Sequence, residues 1–320
     1  MWRYIVKRIL WLVVIVICVA LVIFTVMWFV PGDPARIILG AEASEADVVA
    51  LRDIMGLNDP FLVQLGKFMS DTFLHLDFGV SYTYKVPVIQ EFGVRLPRTL
   101  LLGMASIILN MVIGVPMGIT AATHRNSLRD RGLLVGAIFF NSMPQLFFAL
   151  VMVVIFSLKL GWLPPLGIGT WKHWILPIAA SALSGIAQVA RQTRSSVLET
   201  IRADFVTTAR AKGLEERKVI YKHMLPNALI PVVSDLGMHL SMIVGGSVVI
   251  ETVFAFPGIG KYMLDGISGR DYPVIRGCVL ILATFSAVIV LLVDLIYAFL
   301  DPRIKAQYVN YAAKKGGKAK

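Results

Sequence analysis

The chain has 320 residues, of which 57% are hydrophobic and only 16% charged, against roughly 25% charged in a soluble domain, which argues against a soluble globular protein. Its 31 Lys and Arg against 20 Asp and Glu fall between apolar runs, so they mark membrane flanks and no nucleic-acid partner is expected. Cys18 and Cys278 both sit inside apolar runs, which leaves a disulfide framework, a thiolate metal site and redox chemistry without support.

A hydrocarbon core of about 30 Å needs about 20 apolar residues in a helix. Six spans are predicted on that basis, over residues 9–30, 99–122, 132–158, 175–190, 229–250 and 277–300. Helices satisfy their own backbone in lipid, and the spans lack the ten-residue alternation of a barrel, so the fold class is all-α and polytopic. The first span follows Arg3, Lys7 and Arg8. Its apolar core is too long for a signal peptide and no small-residue cleavage site closes it, so residues 1–30 read as a retained anchor.

Residues 31–98 open with the turn-rich exit Pro31-Gly32-Asp33-Pro34 and are expected to form a small external subdomain. Within it, Val48, Val49, Leu51, Arg52 and Met55 have helical spacing after Ser44, a candidate N-cap, so a helix is predicted over 45–55. Residues 99–300 are the membrane core. Gly114 and Gly118 around Pro116, Ser181 with Gly185, and Gly245-Gly246-Ser247 in the fifth span are marks of close helix packing.

Asn141, Ser142 and Gln145 surround Pro144 in the third span. On a continuous helix Asn141 and Gln145 share one face, and either a pore-lining role or a hydrogen bond between helices fits them. Asp235 and Asp294 are the acids inside spans. Asp294 is read as an inner-end carboxylate that snorkels or pairs with a base, and Asp235 as a buried hydrogen bond or a pathway residue. Residues 301–320 are a basic tail, and its stretch from Tyr311 to Lys320, of Lys, Gly and Ala, is read as disordered, with charges able to touch anionic headgroups.

The loops set the orientation. Segments 1–8, 123–131, 191–222 and 301–320 hold 20 Lys and Arg in 69 residues, whereas segments 31–98, 159–174 and 251–276 hold 11 in 110. By the positive-inside rule both termini are cytoplasmic, and Trp28, Trp162, Trp171 and Trp174 then fall at the outer interface.

No phosphate-binding loop is present: Gly66-Lys67, Gly260-Lys261 and Gly317-Lys318 are followed by Phe, Tyr and Ala. His75, His124, His173, His223 and His239 show no metal-ligand spacing. Neither a catalytic nor a metal site is expected in this chain.

Residues 191–227 form the longest inside loop, with eight bases and four acids. Asp204 is placed as the cap of a helix carrying Phe205, Val206, Ala209 and Lys212. Gly213 stops it, and helical spacing resumes over 215–224, giving a glycine-centred knuckle with Leu214 and Val219 available for packing.

This loop resembles that of the permease subunits of ATP-binding-cassette importers, whose pattern is Glu-Ala-Ala, three residues, Gly, nine residues, Ile-x-Leu-Pro. Ala209, Gly213, Leu225 and Pro226 match it, whereas Thr207, Thr208 and His223 depart from it. The chain is more closely similar to the dipeptide, oligopeptide and nickel branch. That resemblance is carried by the start through Pro31-Gly32-Asp33-Pro34, by the loop, by Glu251-Thr252-Val253-Phe254-Ala255-Phe256-Pro257-Gly258-Ile259-Gly260 with Asp271-Tyr272-Pro273, and by residues 294–303.

The resemblance implies a half-channel in the bacterial inner membrane. Its partners would be a homologous second permease, two cytoplasmic ATPases holding ATP and Mg, and an external substrate-binding protein. The loop would be the coupling helix, and residues 31–98 with 251–271 would receive the binding protein. Pro257, Gly258 and Gly260 are read as shaping a re-entrant or interfacial turn. Peptide is favoured over nickel as cargo. Two other classes stay open on the residues alone, an ion-coupled carrier using Asp235 or Asp294 and a membrane scaffold with no conduit.

Overall fold

The computed structural model describes residues 2–300, with the side chains of residues 2–4, 236–239, 241, 242, 244, 246, 294 and 296–300 outside that description. The expectations for the Asp294 carboxylate and for the 301–320 tail therefore lie outside the described residues. In chain order the helices are α1 (Trp2–Phe29), α2 (Pro34–Leu39), α3 (Glu45–Met55), α4 (Phe61–Leu74), α5 (Val88–Thr123), α6 (Leu128–Ser142) and α7 (Gln145–Met152), which runs into a π-helical segment, Val153–Lys159. There follow α8 (Lys172–Thr200), α9 (Asp204–Ala211), α10 (Glu216–Lys218), a second π-helical segment (Val219–Met224), α11 (Leu225–Ala228), α12 (Ile230–Gly246), α13 (Val248–Val253), α14 (Ile259–Ser268) and α15 (Tyr272–Leu300). Among the described residues the only β-type pairing is an isolated antiparallel bridge, Val80 to Pro87.

Among the described residues, four helices are long and apolar enough to cross a membrane: Ile5–Phe29, Val88–Thr123, Lys172–Thr200 and Tyr272–Val293. The third predicted span is instead a bent pair, α6 and the helix Gln145–Lys159, at 98° to each other. Pro144 disfavours helical backbone at the residue before it, and Met143 is extended at ψ 137°. The fifth predicted span is divided at Ser247 into α12 and α13. Against the six spans expected, four such helices are found among the described residues, or up to five if the bent pair counts as one.

The described residues fall into two compact units, one from Met1–Val94 and Tyr262–Lys320, the other from Arg95–Lys261. In the first, α1 packs along α15 through Val16, Ala20 and Leu280, and further along through Met27, Tyr272 and Ile275. The exit turn is built as its composition requires. Asp33 caps α2 by accepting the Ala35 N–H (3.1 Å) and binds Arg52 of α3 at 2.8 Å. Burial raises the Asp33 carboxyl, but the Arg52 guanidinium and the Ala35 amide outweigh it and hold the group below the usual carboxylate range. Helix α3 has the predicted bounds and its Ser44 cap, which accepts the Asp47 N–H at 3.2 Å. Buried Asp271 accepts from Ser81 Oγ (2.6 Å) and the Thr83 N–H (3.0 Å), which pins the segment before α5 to the start of α15.

In the second unit α5 lies against α8 at its glycines. A Cβ on Gly114 would stand 2.9 Å from the Ile186 carbonyl oxygen, and one on Gly118 would stand 2.6 Å from the Thr193 Cβ, so only glycine permits this approach. Leu102, Ala149, Leu176, Ala180, Ile250, Phe254 and Phe256 form a core joining α5, α7, α8 and α13. Helix α8 runs ten residues beyond the predicted end at Ala190, because Thr193, Ser196 and Val197 are buried there despite the charges around them.

Candidate functional site

At the C-terminal part of α8, Arg194 makes a two-pronged ion pair with Asp130 at the start of α6. Its Nη2 donates to Oδ2 at 2.9 Å while Nε donates to Oδ1. Asp130 also accepts the Asn126 N–H (2.9 Å) and is buried. A buried carboxylate satisfied from two sides fixes the chain reversal before α6 against α8.

Beyond α8 the chain folds back on itself. Val206 and Ala209 of α9, Val219 and Met224 of the π-helical segment and Ala228 of α11 form a small core with Ile119 and Ala122 of α5 and Val197 of α8. Ser196 Oγ donates to the Ala228 carbonyl at 2.6 Å, closing the far side. Pro226 offers no N–H to the turn before it, which accounts for the widened π-helical turns at Val219–Met224.

The six loop positions singled out in the sequence have distinct places here. Gly213 takes φ +72° with open space where a Cβ would stand, so glycine is required by backbone conformation and not by crowding. Ala209 is buried and Leu225 packs at the edge of the core. Pro226 is exposed. Leu214 is exposed beside the glycine, together with every residue from Arg210 to Lys218. Val219, expected to be available for packing, is fully buried and packs inside the loop itself. The capping expectation is also corrected. The cap position belongs to Ala203, extended at ψ 147°, and makes no side-chain bond, while Asp204 is already the first helical residue. Its charge there favours the helix N-terminus without capping it.

Arg210 and Glu216 bridge the knuckle, Nη2 to Oε1 at 2.6 Å and Nε to Oε2 at 3.1 Å. The Arg210 guanidinium holds the Glu216 carboxyl below its ordinary range against a smaller effect of burial. The result is an exposed, charged apex with a half-exposed leucine, mounted on a packed base shared with α5 and α8.

The second motif, from Glu251 to Gly260, forms a clasp. Glu251 is fully buried in α13. Its Oε1 accepts from Thr99 Oγ1 at 2.6 Å and its Oε2 from the Lys261 N–H at 2.9 Å. A Cβ on Gly258 would overlap the carboxyl group, and one on Gly260 would lie 2.8 Å from the Val248 Cα. Phe254 and Phe256 enter the core, the latter edge-on to Trp174 at 4.8 Å. Arg98 reaches the Pro257 carbonyl at 3.5 Å. Ala255 turns the chain at φ +46°, with the Phe256 N–H donating to the Glu251 carbonyl at 2.7 Å.

Residues 114–306 match the family described as Binding-protein-dependent transport system inner membrane component, and residues 1–103 match its N-terminal counterpart. The chain belongs to this family of inner-membrane permeases. Among the permease's relatives is the Glutathione transport system permease protein GsiC of Salmonella paratyphi A, 38% identical over 305 residues, covering 95% of this chain and 99% of that protein. Another is the Dipeptide transport system permease protein DppB of Alkalihalophilus pseudofirmus, 38% identical over 333 residues, covering 95% and 100%. The fold is shared with the MetNI methionine ABC transporter in inward-facing conformations, at 20% identity and a TM-score of 0.57, covering 66% of this chain and 97% of that one.

Elsewhere in the permease, the break at Met143 and Pro144 separates Asn141 from Gln145, so the expectation of one shared helical face is corrected. Asn141 and Ser142 end α6 and are exposed, Gln145 begins α7 and is half-buried, and Asp235 is half-buried in α12. The Asp130–Arg194 pair was missed in the sequence. Its available signal was Ser127 three residues before Asp130, the spacing of a helix cap, and Ser127 does accept the Asp130 N–H.

Proposed function

We propose that the permease is one half of the conduit of an ATP-driven importer of short peptides, coupled to its ATPases through the knuckle at Gly213 and Leu214. The observation that carries this reading is the exposed apex joined to a core that α5 and α8 share. A force on Leu214 is delivered through Val206, Val219 and Met224 to Ile119, Ala122 and Val197, and hence to two long membrane helices. Coupling needs only that the docked loop favour different transporter states as the ATPases open and close.

ATP and Mg belong to two cytoplasmic partner ATPases in this reading, and a homologous second permease completes the conduit. Both termini face the cytoplasm, as the distribution of bases supports. Residues 31–98 and the 251–271 segment face outward toward a substrate-binding protein, and Asn141, Ser142, Gln145 and Asp235 are the candidate pathway residues. Peptide cargo is supported by the names of the glutathione and dipeptide relatives. Proteoliposomes holding the assembled importer and its binding protein should accumulate a labelled dipeptide only when ATP reaches the ATPases. Accumulation of nickel with no uptake of di- or tripeptides would overturn the cargo assignment.

A further inference from the structure

Arg276, in the second turn of α15, stands one residue before the predicted start of the sixth span. Its guanidinium carbon lies 5.9 Å from the ring centre of Phe24 and 5.3 Å from that of Phe68. These faces stabilise a cation but accept no hydrogen bond in the plane of the fork. The Nε is buried and without a partner, and among the described residues no carboxylate forms an ion pair with Arg276.

The same guanidinium lines a cavity of about 270 Å³ inside the first unit. That cavity is lined by apolar Phe24, Met27 and Trp28 together with polar Arg52, Asn58, Gln64 and the phenols of Tyr82 and Tyr272. Its one carboxylate, Asp33, is already held by Arg52 at 2.8 Å. A smaller cavity of about 190 Å³, which Arg276 also touches, holds Asp59, Asp71 and Asp77, and none of them is paired to it among the described residues.

An unmatched buried cation is costly, and a guanidinium fork suits a two-oxygen anion. We propose that this cavity is an oxyanion site that takes the phosphate of an anionic phospholipid headgroup. A mixed aromatic and polar lining at the end of α1 and the start of α15 matches the depth at which such a headgroup sits, and Trp28 is the type of residue that marks that depth. The site does not depend on the identity of the cargo.

The full-length permease, purified in neutral detergent, is offered phosphatidylglycerol or diacylglycerol, which lacks the phosphate, and retained lipid is counted by native mass spectrometry beside thermal stability. Wild type should retain phosphatidylglycerol about tenfold more strongly, as the loss of charge-assisted hydrogen bonds implies. Arg276→Met should lose that preference, and Arg276→Lys, with charge but no fork, should fall between. Arg276→Lys carries the comparison if Arg276→Met does not fold. Inorganic phosphate distinguishes the source. Stabilisation by free phosphate with no preference between the lipids overturns the headgroup assignment. Equal retention of both lipids by wild type, or an equal preference in wild type and variants, overturns the site.

Discussion

Thr99 and Glu251, 152 positions apart in the chain, meet at 2.6 Å through a hydroxyl and a buried carboxylate. The same hydroxyl oxygen accepts the Ile259 N–H at 2.9 Å, so one threonine ties the start of the second predicted span to both ends of the glycine motif. The motif therefore acts first as a clasp within its own unit.

Breaking that clasp should destabilise the protein. Glu251→Ala leaves the Thr99 hydroxyl and the Lys261 amide without an acceptor, at a cost on the order of 3 kcal/mol. Glu251→Gln keeps one oxygen acceptor and should cost less. Gly258→Ala, which drives a methyl group onto the carboxylate, should resemble Glu251→Ala. Thermal midpoints in detergent check the order, and an unchanged midpoint in Gly258→Ala would contradict the close approach.

Gly213 is required by its backbone angle alone, so substitutions there should rank by tolerance of positive φ. Asn should retain most ATP-coupled uptake, and Ala should lose some of it for about 1 kcal/mol of strain. Pro, fixed near −65°, should abolish coupling while leaving membrane insertion intact. Uptake assays beside the amount of permease in isolated membranes check the series.

The Asp130–Arg194 pair should behave as a unit. Either Asp130→Asn or Arg194→Met leaves a buried charge unmatched and should cost about 3–5 kcal/mol, whereas the double change should cost less than the sum. Thermal midpoints of the four proteins give the coupling, and strict additivity would contradict the buried pair.

How much of this was legible in the sequence depends on where the burying partner lies. Apolar runs locate α1, α5 and α15 because lipid is their partner and local composition reports it. The glycine of the knuckle and the Ser44 cap are equally local, and both were placed correctly. By contrast, α8 continues past Ala190 because Val197 is covered by Val206 and Met224 from the following loop, which a count of apolar residues does not register. The 98° bend at Pro144 depends on which way the chain turns after the proline. Arg194 and Asp130 are 64 residues apart, and Arg276 counts in the sequence only among the bases of segment 251–276, because its cage of Phe24 and Phe68 comes from other helices.

The Arg210–Glu216 bridge gives the knuckle an acid limit. The folded Glu216 carboxyl lies below its ordinary value of 4.5. Its contribution is therefore present above that value and is lost as pH falls through the folded value. The pair is largely exposed, so the effect is confined to the apex. Hydrogen exchange at residues 210–218 should rise beyond its intrinsic pH dependence below pH 4.5, and Glu216→Gln should show the higher exchange already at pH 7.

The most direct measurement is affinity purification of the permease in mild detergent with mass spectrometry of what accompanies it, for wild type, Leu214→Asp and Val219→Asp. Leu214 is on the exposed apex and Val219 in the loop's core. Leu214→Asp should therefore retain the second permease and wild-type thermal stability while losing the ATPases, whereas Val219→Asp should lose the ATPases and stability together. ATPases recovered equally with wild type and Leu214→Asp, or recovered with neither, would contradict the coupling assignment.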